Sequence, residues 1–181
     1  MEVQPLKLAG TYLITPAVRT DPRGYFMETY RRDVMKAHGL VTDWAQENQS
    51  LSTRKHVLRG LHFQFPPHAE TKLVRVVIGR VMDVFVDLRK DSSTYGQWDK
   101  VELSDENHRM AYIPKGFAHA FCTMTDYVLV AYKVDAFYAP DAQGGLMWND
   151  PTLNIDWPCT EPLLSEKDRQ LPYFARFKSP Y

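Results

Sequence analysis

Two of the six histidines stand where chemistry could be done. His62 lies in Leu58-Arg59-Gly60-Leu61-His62-Phe63-Gln64, and His119 in Ile113-Pro114-Lys115-Gly116-Phe117-Ala118-His119-Ala120-Phe121. In both segments polar groups alternate with apolar ones, so a strand would carry the polar groups to one face. In a barrel, that face can meet a ligand. Taken alone, either ring fits a hydrogen-bonded core histidine equally well. His38, His56, His68 and His108 have polar or charged neighbours and read as solvated side chains. Three further residues have ordinary readings of their own. Asp168 follows Ser165 at capping-box spacing, Tyr132 sits in an apolar strand, and Lys72 opens one where its ammonium could reach water.

The elements that must position these groups are mostly strands. Thr11–Ile14, Tyr25–Tyr30, Lys72–Ile78, Val81–Leu88, Gln97–Leu103, Met110–Ile113, Ala120–Met124 and Val128–Val134 are short β-branched or aromatic runs bounded by turn residues. Ile78-Gly79-Arg80-Val81 is a turn between two of them. Strands joined by short turns without intervening helices predict an antiparallel sandwich or barrel. Helices are expected over Arg31–His38, ended by Gly39, and over Ser165–Gln170, with Ser165 as N-cap. The tail after Pro172, with Tyr173, Phe174 and Phe177, should pack across the body. The 181 residues read as one mainly-β domain: an arm over about 1–50, a barrel over about 51–140 and an extension over about 141–181.

Lys+Arg and Asp+Glu both number 22, a balance that argues against general nucleic-acid binding while leaving room for a local cationic pocket. Cys122 and Cys159 are too few for a disulfide framework and form no CxxC pair. No basic-then-apolar leader opens the chain and no apolar run approaches membrane length, so a cytoplasmic protein is expected.

Pro114-x-Gly116-x-x-His119 resembles the second cupin motif, and Gly60 to Gly79 the first. Where a metal-binding cupin offers His-x-His and Glu, this chain has His62-Phe63-Gln64 and Lys72. An ammonium is all donor and positively charged, so it cannot help hold a divalent cation. The metal site is dismantled, and acid–base chemistry is expected instead.

The match narrows to one family through ordered blocks. They include Asp21-x-Arg23-Gly24-x-Phe26-x-Glu28, Gln46-Glu47-Asn48-x-Ser50, Val57 to Gln64, Lys72-Leu73-Val74-Arg75 and Asp83 to Arg89. Further along come Leu103-Ser104-x-Glu106-Asn107, Ile113 to His119, Tyr132-Lys133, Trp148-Asn149-Asp150 and Ser165-x-Lys167-Asp168. The chain closely resembles the dTDP-4-dehydrorhamnose 3,5-epimerases, also called dTDP-4-keto-6-deoxyglucose 3,5-epimerases, of deoxysugar biosynthesis. The resemblance implies a cupin jelly roll, a homodimer, and an enzyme with no metal or other cofactor.

Epimerising a carbon beside a ketone requires a base, positive charge at the ketone oxygen, and an acid on the opposite face. The C4 ketone already activates C3 and C5, so no redox cofactor is needed. The resemblance makes His62 the base and Asp168 its orienting carboxylate. It sets Lys72 at the substrate O4 and Tyr132 on the opposite face, returning a proton at C5. It also implies that Arg23 and Arg59 grip the diphosphate and sugar, that Phe26 packs on the base, and that Glu28, Gln46 and Asn48 line the nucleotide path. His119, Gln143 and Lys167 complete the binding set, and Asp83 should brace the catalytic histidine or lysine. Gln143 stands where the family usually has Glu, exchanging a pure acceptor for a group that also donates, so the base preference is open.

Two other classes compete: a metal-dependent cupin using His62 and His119, and a non-catalytic binding cupin. An epimerase acting at C3 or C5 alone would share almost all these blocks. A sheet edge in a jelly roll invites pairing, and the resemblance implies that the N-terminal strand of one subunit extends the sheet of the other. A C2 homodimer is therefore expected, with Arg23 and Phe26 serving the site across the interface. The partners expected are the dTDP-sugar and a second copy, with neither nucleic acid nor membrane.

Overall fold

The computed structural model describes residues 1–181. Its strands are β1 (Glu2–Pro5), β2 (Tyr12–Thr15), β3 (Val18–Asp21), β4 (Gly24–Met27), β5 (Gln46–Ser52), β6 (Leu58–Gln64) and β7 (Lys72–Ile78). They continue with β8 (Arg80–Asp87), β9 (Trp98–Ser104), β10 (Met110–Ile113), β11 (Phe117–Thr123), β12 (Val128–Val134) and β13 (Gln143–Gly145), and the one α-helix is α1 (Arg32–Ala37). A six-stranded sheet, in the order β1-β2-β10-β7-β12-β5, faces a five-stranded sheet in the order β13-β6-β11-β8-β9. Every named strand pair is antiparallel. This is the antiparallel sandwich that the short runs and turns predicted, in the jelly-roll form that the family resemblance implied. The N-terminal residues contribute β1, β2 and β5 to the larger sheet, while β3 and β4 form a separate hairpin.

Alternation along the strands sorts the side chains. Val74, Val76, Val81, Phe85, Phe117, Phe121, Val128 and Val130 face inward and form the core between the sheets. The intervening residues of β8 and β11, including Val84, Val86, Ala118 and Ala120, face outward onto Leu146, Leu153 and Ile155. Phe174, Phe177 and Tyr181 pack on that second cluster, so the tail does cross the body. The Tyr181 hydroxyl donates to the Gln64 carbonyl. On the other side, Met35 of α1 joins Ile14, Leu73 and Met110 to cover the larger sheet.

Two expectations need correcting. Ser165–Gln170 does not become an α-helix; only a 3-10 turn over Asp168–Gln170 forms. Leu171 precedes Pro172 and is held extended at φ −65°, ψ 146°, which stops the helix before it can propagate. The Ser165 hydroxyl still accepts the Asp168 N–H at 3.1 Å, so the cap survives without its helix. Strand β6 was also absent from the expected strand runs, because Arg59 and Gly60 interrupt its apolar pattern while remaining in the ladder.

Candidate active site

The β6–β11 ladder brings the two histidines together. His62 lies directly opposite His119, while Arg59 lies opposite Phe121. On a regular strand, Arg59 and His62 would point to opposite faces, being three residues apart. Between the two pairs, Gly60 and Leu61 face the single residue Ala120, and this bulge inserts the extra residue that turns both side chains into the cleft. Gly60 has φ +123°, and a Cβ there would lie 2.5 Å from both the Ala120 Cβ and the His119 carbonyl oxygen. No other residue type fits that approach.

A cleft of about 520 Å³ opens at this end of the barrel, with Arg59, His62, Lys72, His119, Tyr132, Lys167 and Asp168 in its lining. A second lobe of about 270 Å³ shares His62, Lys72 and Tyr132 and adds Gln46, Asn48, Gln64, Glu70, Tyr138 and Gln143. All four expected catalytic residues therefore meet at one place, drawn from β6, β7, β12 and the C-terminal segment. Among the expected binding residues, Arg59, His119 and Lys167 line the first lobe, and Gln46, Asn48 and Gln143 the second. Arg23, Phe26 and Glu28 line neither. Arg23 is 90% exposed and paired with Asp21 at 2.6 Å, and Phe26 is 65% exposed on the isolated hairpin.

The His62 Nε2 stands 2.6 Å from Asp168 Oδ1. A carboxylate only accepts, so Nε2–H donates to it and Nδ1 keeps its lone pair. Burial raises the Asp168 carboxyl. The hydrogen bond from His62, the attraction of that ring when protonated, Ser165 and the Gly60 N–H together outweigh it and hold the carboxyl below the usual carboxylate range. His119 makes a parallel pair, its Nε2 2.8 Å from Asp83 Oδ2. Asp83 was expected to brace the catalytic histidine or lysine; it braces His119 instead, because inward-facing Asp83 on β8 neighbours β11 and not β6.

Lys72 and Tyr132 face inward from adjacent strands, with the ammonium 5.9 Å from the ring centroid. Burial pushes the Tyr132 phenol up, the Glu70 charge adds to the shift and Arg59 opposes it, so the net effect is upward. A phenol so placed keeps its proton at neutral pH and can act as an acid. Lys72 is paired with Glu70 at 3.0 Å. Glu70 was not singled out from the sequence, although its two-residue spacing from Lys72 puts both side chains on one side of an extended chain. At the rim, Lys167 and Tyr138 both donate to Gln143 Oε1, the latter at 3.1 Å.

An antiparallel jelly roll whose cleft gathers an imidazole–carboxylate pair, an ammonium and a protonated phenol is built to move protons, which places the protein among the cupin-type isomerases. A family model described as dTDP-4-dehydrorhamnose 3,5-epimerase matches residues 5–176. The dTDP-4-dehydrorhamnose 3,5-epimerase of Methanothermobacter thermautotrophicus is 48% identical over 165 residues, covering 90% of this chain and 88% of that protein. The crystal structure of the Bacillus anthracis dTDP-4-dehydrorhamnose 3,5-epimerase with TDP and PPi bound has a TM-score of 0.93 at 45% identity, covering 95% of this chain and 98% of that one. The Legionella pneumophila dTDP-6-deoxy-D-glucose-3,5-epimerase in complex with dTDP-4-keto-L-rhamnose has a TM-score of 0.92 at 37% identity, covering 98% and 94% of the two chains. The chain belongs to the dTDP-4-dehydrorhamnose 3,5-epimerase family.

Proposed function

We propose that the protein converts dTDP-4-keto-6-deoxyglucose to dTDP-4-dehydro-L-rhamnose, inverting C3 and C5 through enolates of the C4 ketone. The observation that carries this reading is the convergence of His62, Asp168, Lys72 and Tyr132 on one cleft. His62 Nδ1 takes the proton from carbon, and Asp168 stabilises the imidazolium that results. The C–H electron pair moves into the ring and on to O4, where the Lys72 ammonium meets the developing charge. Tyr132 then gives its proton to C5 from the other face, and at C3 water returns the proton on the face opposite His62. Exchange with solvent returns a proton to Tyr132 and removes one from His62, so no group is consumed.

Arg59, His119 and Lys167 supply charge and donors for the sugar and diphosphate. Gln46, Asn48 and Gln143 line the nucleotide side. With its carbonyl oxygen occupied by Lys167 and Tyr138, Gln143 offers its amide N–H groups to a nucleobase oxygen, whereas a carboxylate would have accepted. Thymine O2 or O4 suits that donor. The exposed hairpin carrying Arg23 and Phe26, with Glu28 just beyond it, serves the partner's nucleotide site in a C2 homodimer. The whole chain acts as one domain in the cytoplasm, and no helix is long and apolar enough to cross a membrane.

Incubation with dTDP-4-keto-6-deoxyglucose in D2O should place deuterium on both C3 and C5. Label at neither carbon would end the proposal, and label at C3 alone would make the protein a 3-epimerase.

A further inference from the structure

Glu70 stands in the cleft without a part in the proton transfers above. Its side chain is 13% exposed and that of Lys72 10%, with Nζ 3.0 Å from Glu70 Oε1. A lysine carries its charge on four rotatable bonds, so the position of an unanchored ammonium is spread over many rotamers. No other carboxylate pairs with this one. The geometry points to Glu70 as the positioning residue for Lys72, its carboxylate holding the ammonium where the substrate O4 becomes an enolate oxygen. This inference rests on the proposed role of Lys72.

The surroundings are built to keep Glu70 still. Thr71, between the two residues, donates its N–H to Asp135 Oδ1 at 2.7 Å, which fixes the backbone at the entry to β7. Glu70 Oε2 receives the Gln64 amide at 3.4 Å. Gln64 is itself buried and locked: its Nε2 donates to the His68 carbonyl at 2.9 Å, and its Oε1 accepts the Ala139 N–H at 2.7 Å. Gln64 is two residues beyond His62 on β6, so one strand aligns the imidazole and, through Glu70, the ammonium. A neutral acceptor would leave the buried ammonium without a counter-charge, a costly arrangement. An ammonium has three N–H donors; one directed at Glu70 leaves two for O4 and the cleft.

The test is a double-mutant cycle on kcat and KM with Glu70→Gln, Lys72→Met and the pair. Glu70→Gln should lower kcat by about tenfold to a hundredfold, the scale of a misplaced catalytic group, with KM little changed. In the Lys72→Met background it should cost nothing further, because a residue acting through Lys72 has nothing left to position. Equal losses in both backgrounds would show a general structural role and overturn the inference, as would wild-type kcat in Glu70→Gln when Lys72→Met is impaired. Full activity in Lys72→Met would overturn the proposed role of Lys72 and this inference with it. Thermal melts accompany each variant. If Glu70→Gln does not fold, Glu70→Asp, which keeps the charge one methylene further back, takes its place in the cycle with the same outcomes.

Discussion

The His62–Asp168 pair is where a single atom's identity matters most. Asp168→Asn keeps the shape but lets an amide N–H face the imidazole, favouring the tautomer whose proton sits on the cleft side. We expect kcat to fall by about a hundredfold to ten-thousandfold, the range for a disabled general base. The same change has a stability signature with a definite sign. Asp168 titrates below the ordinary carboxylate value of 3.8 in the folded protein. Its stabilising contribution is therefore complete above that value and is lost as pH falls through the lower, folded one. Urea midpoints of wild type and Asp168→Asn should differ at pH 7, still differ near pH 4, and converge on further acidification. A gap that instead widens toward acid would contradict the geometry. The sequence offered His62 as a candidate from its own segment, but only the family blocks paired it with Asp168, since 106 residues separate them and the capping-box spacing of Ser165 and Asp168 is explained locally as well.

At the scale of the element, the β6 bulge decides whether the cleft exists. Gly60 occupies a left-handed φ of +123° and has its neighbours at 2.5 Å from a would-be Cβ. Gly60→Ala should destabilise the protein by about 3 kcal/mol or more, combining backbone strain with overpacking. Whatever fraction folds should show a larger loss of kcat than of nucleotide binding, because His62 is displaced while Gln46 and Asn48 on β5 are untouched. A melt within a degree of wild type would refute the bulge as described. Strand identity was legible where apolar and aromatic residues dominate, as in β7, β10 and β12. It was obscured in β6 and β5, whose polar residues face the cleft and break the apolar alternation. The function itself hides those strands from a reading based on hydrophobic period.

At the scale of the molecule, the β3–β4 hairpin projects Arg23 and Phe26 into solvent, away from the cleft of their own chain. If they serve the partner's site, mixing Arg23→Ala and His62→Ala subunits gathers both defects into one site and leaves the other intact. Mixed dimers should then regain activity that neither parent shows. Failure to regain any, or a fully active monomer by sedimentation equilibrium at micromolar concentration, would overturn the shared-site arrangement.

The sequence alone determined what depends on local pattern and residue chemistry. Short strands and tight turns specified an antiparallel β class, charge balance disfavoured nucleic acid, and Lys72 in place of a metal-binding carboxylate turned the site toward proton transfer. Tertiary structure decided what depends on register between distant strands. Asp83 went to His119 because β8 lies beside β11, Arg59 joined His62 because of one extra residue opposite Ala120, and Glu70 became the partner of Lys72 under the lock of Gln64. Such pairings arise from non-local hydrogen-bond ladders, and a one-residue shift in register reverses which face a side chain takes.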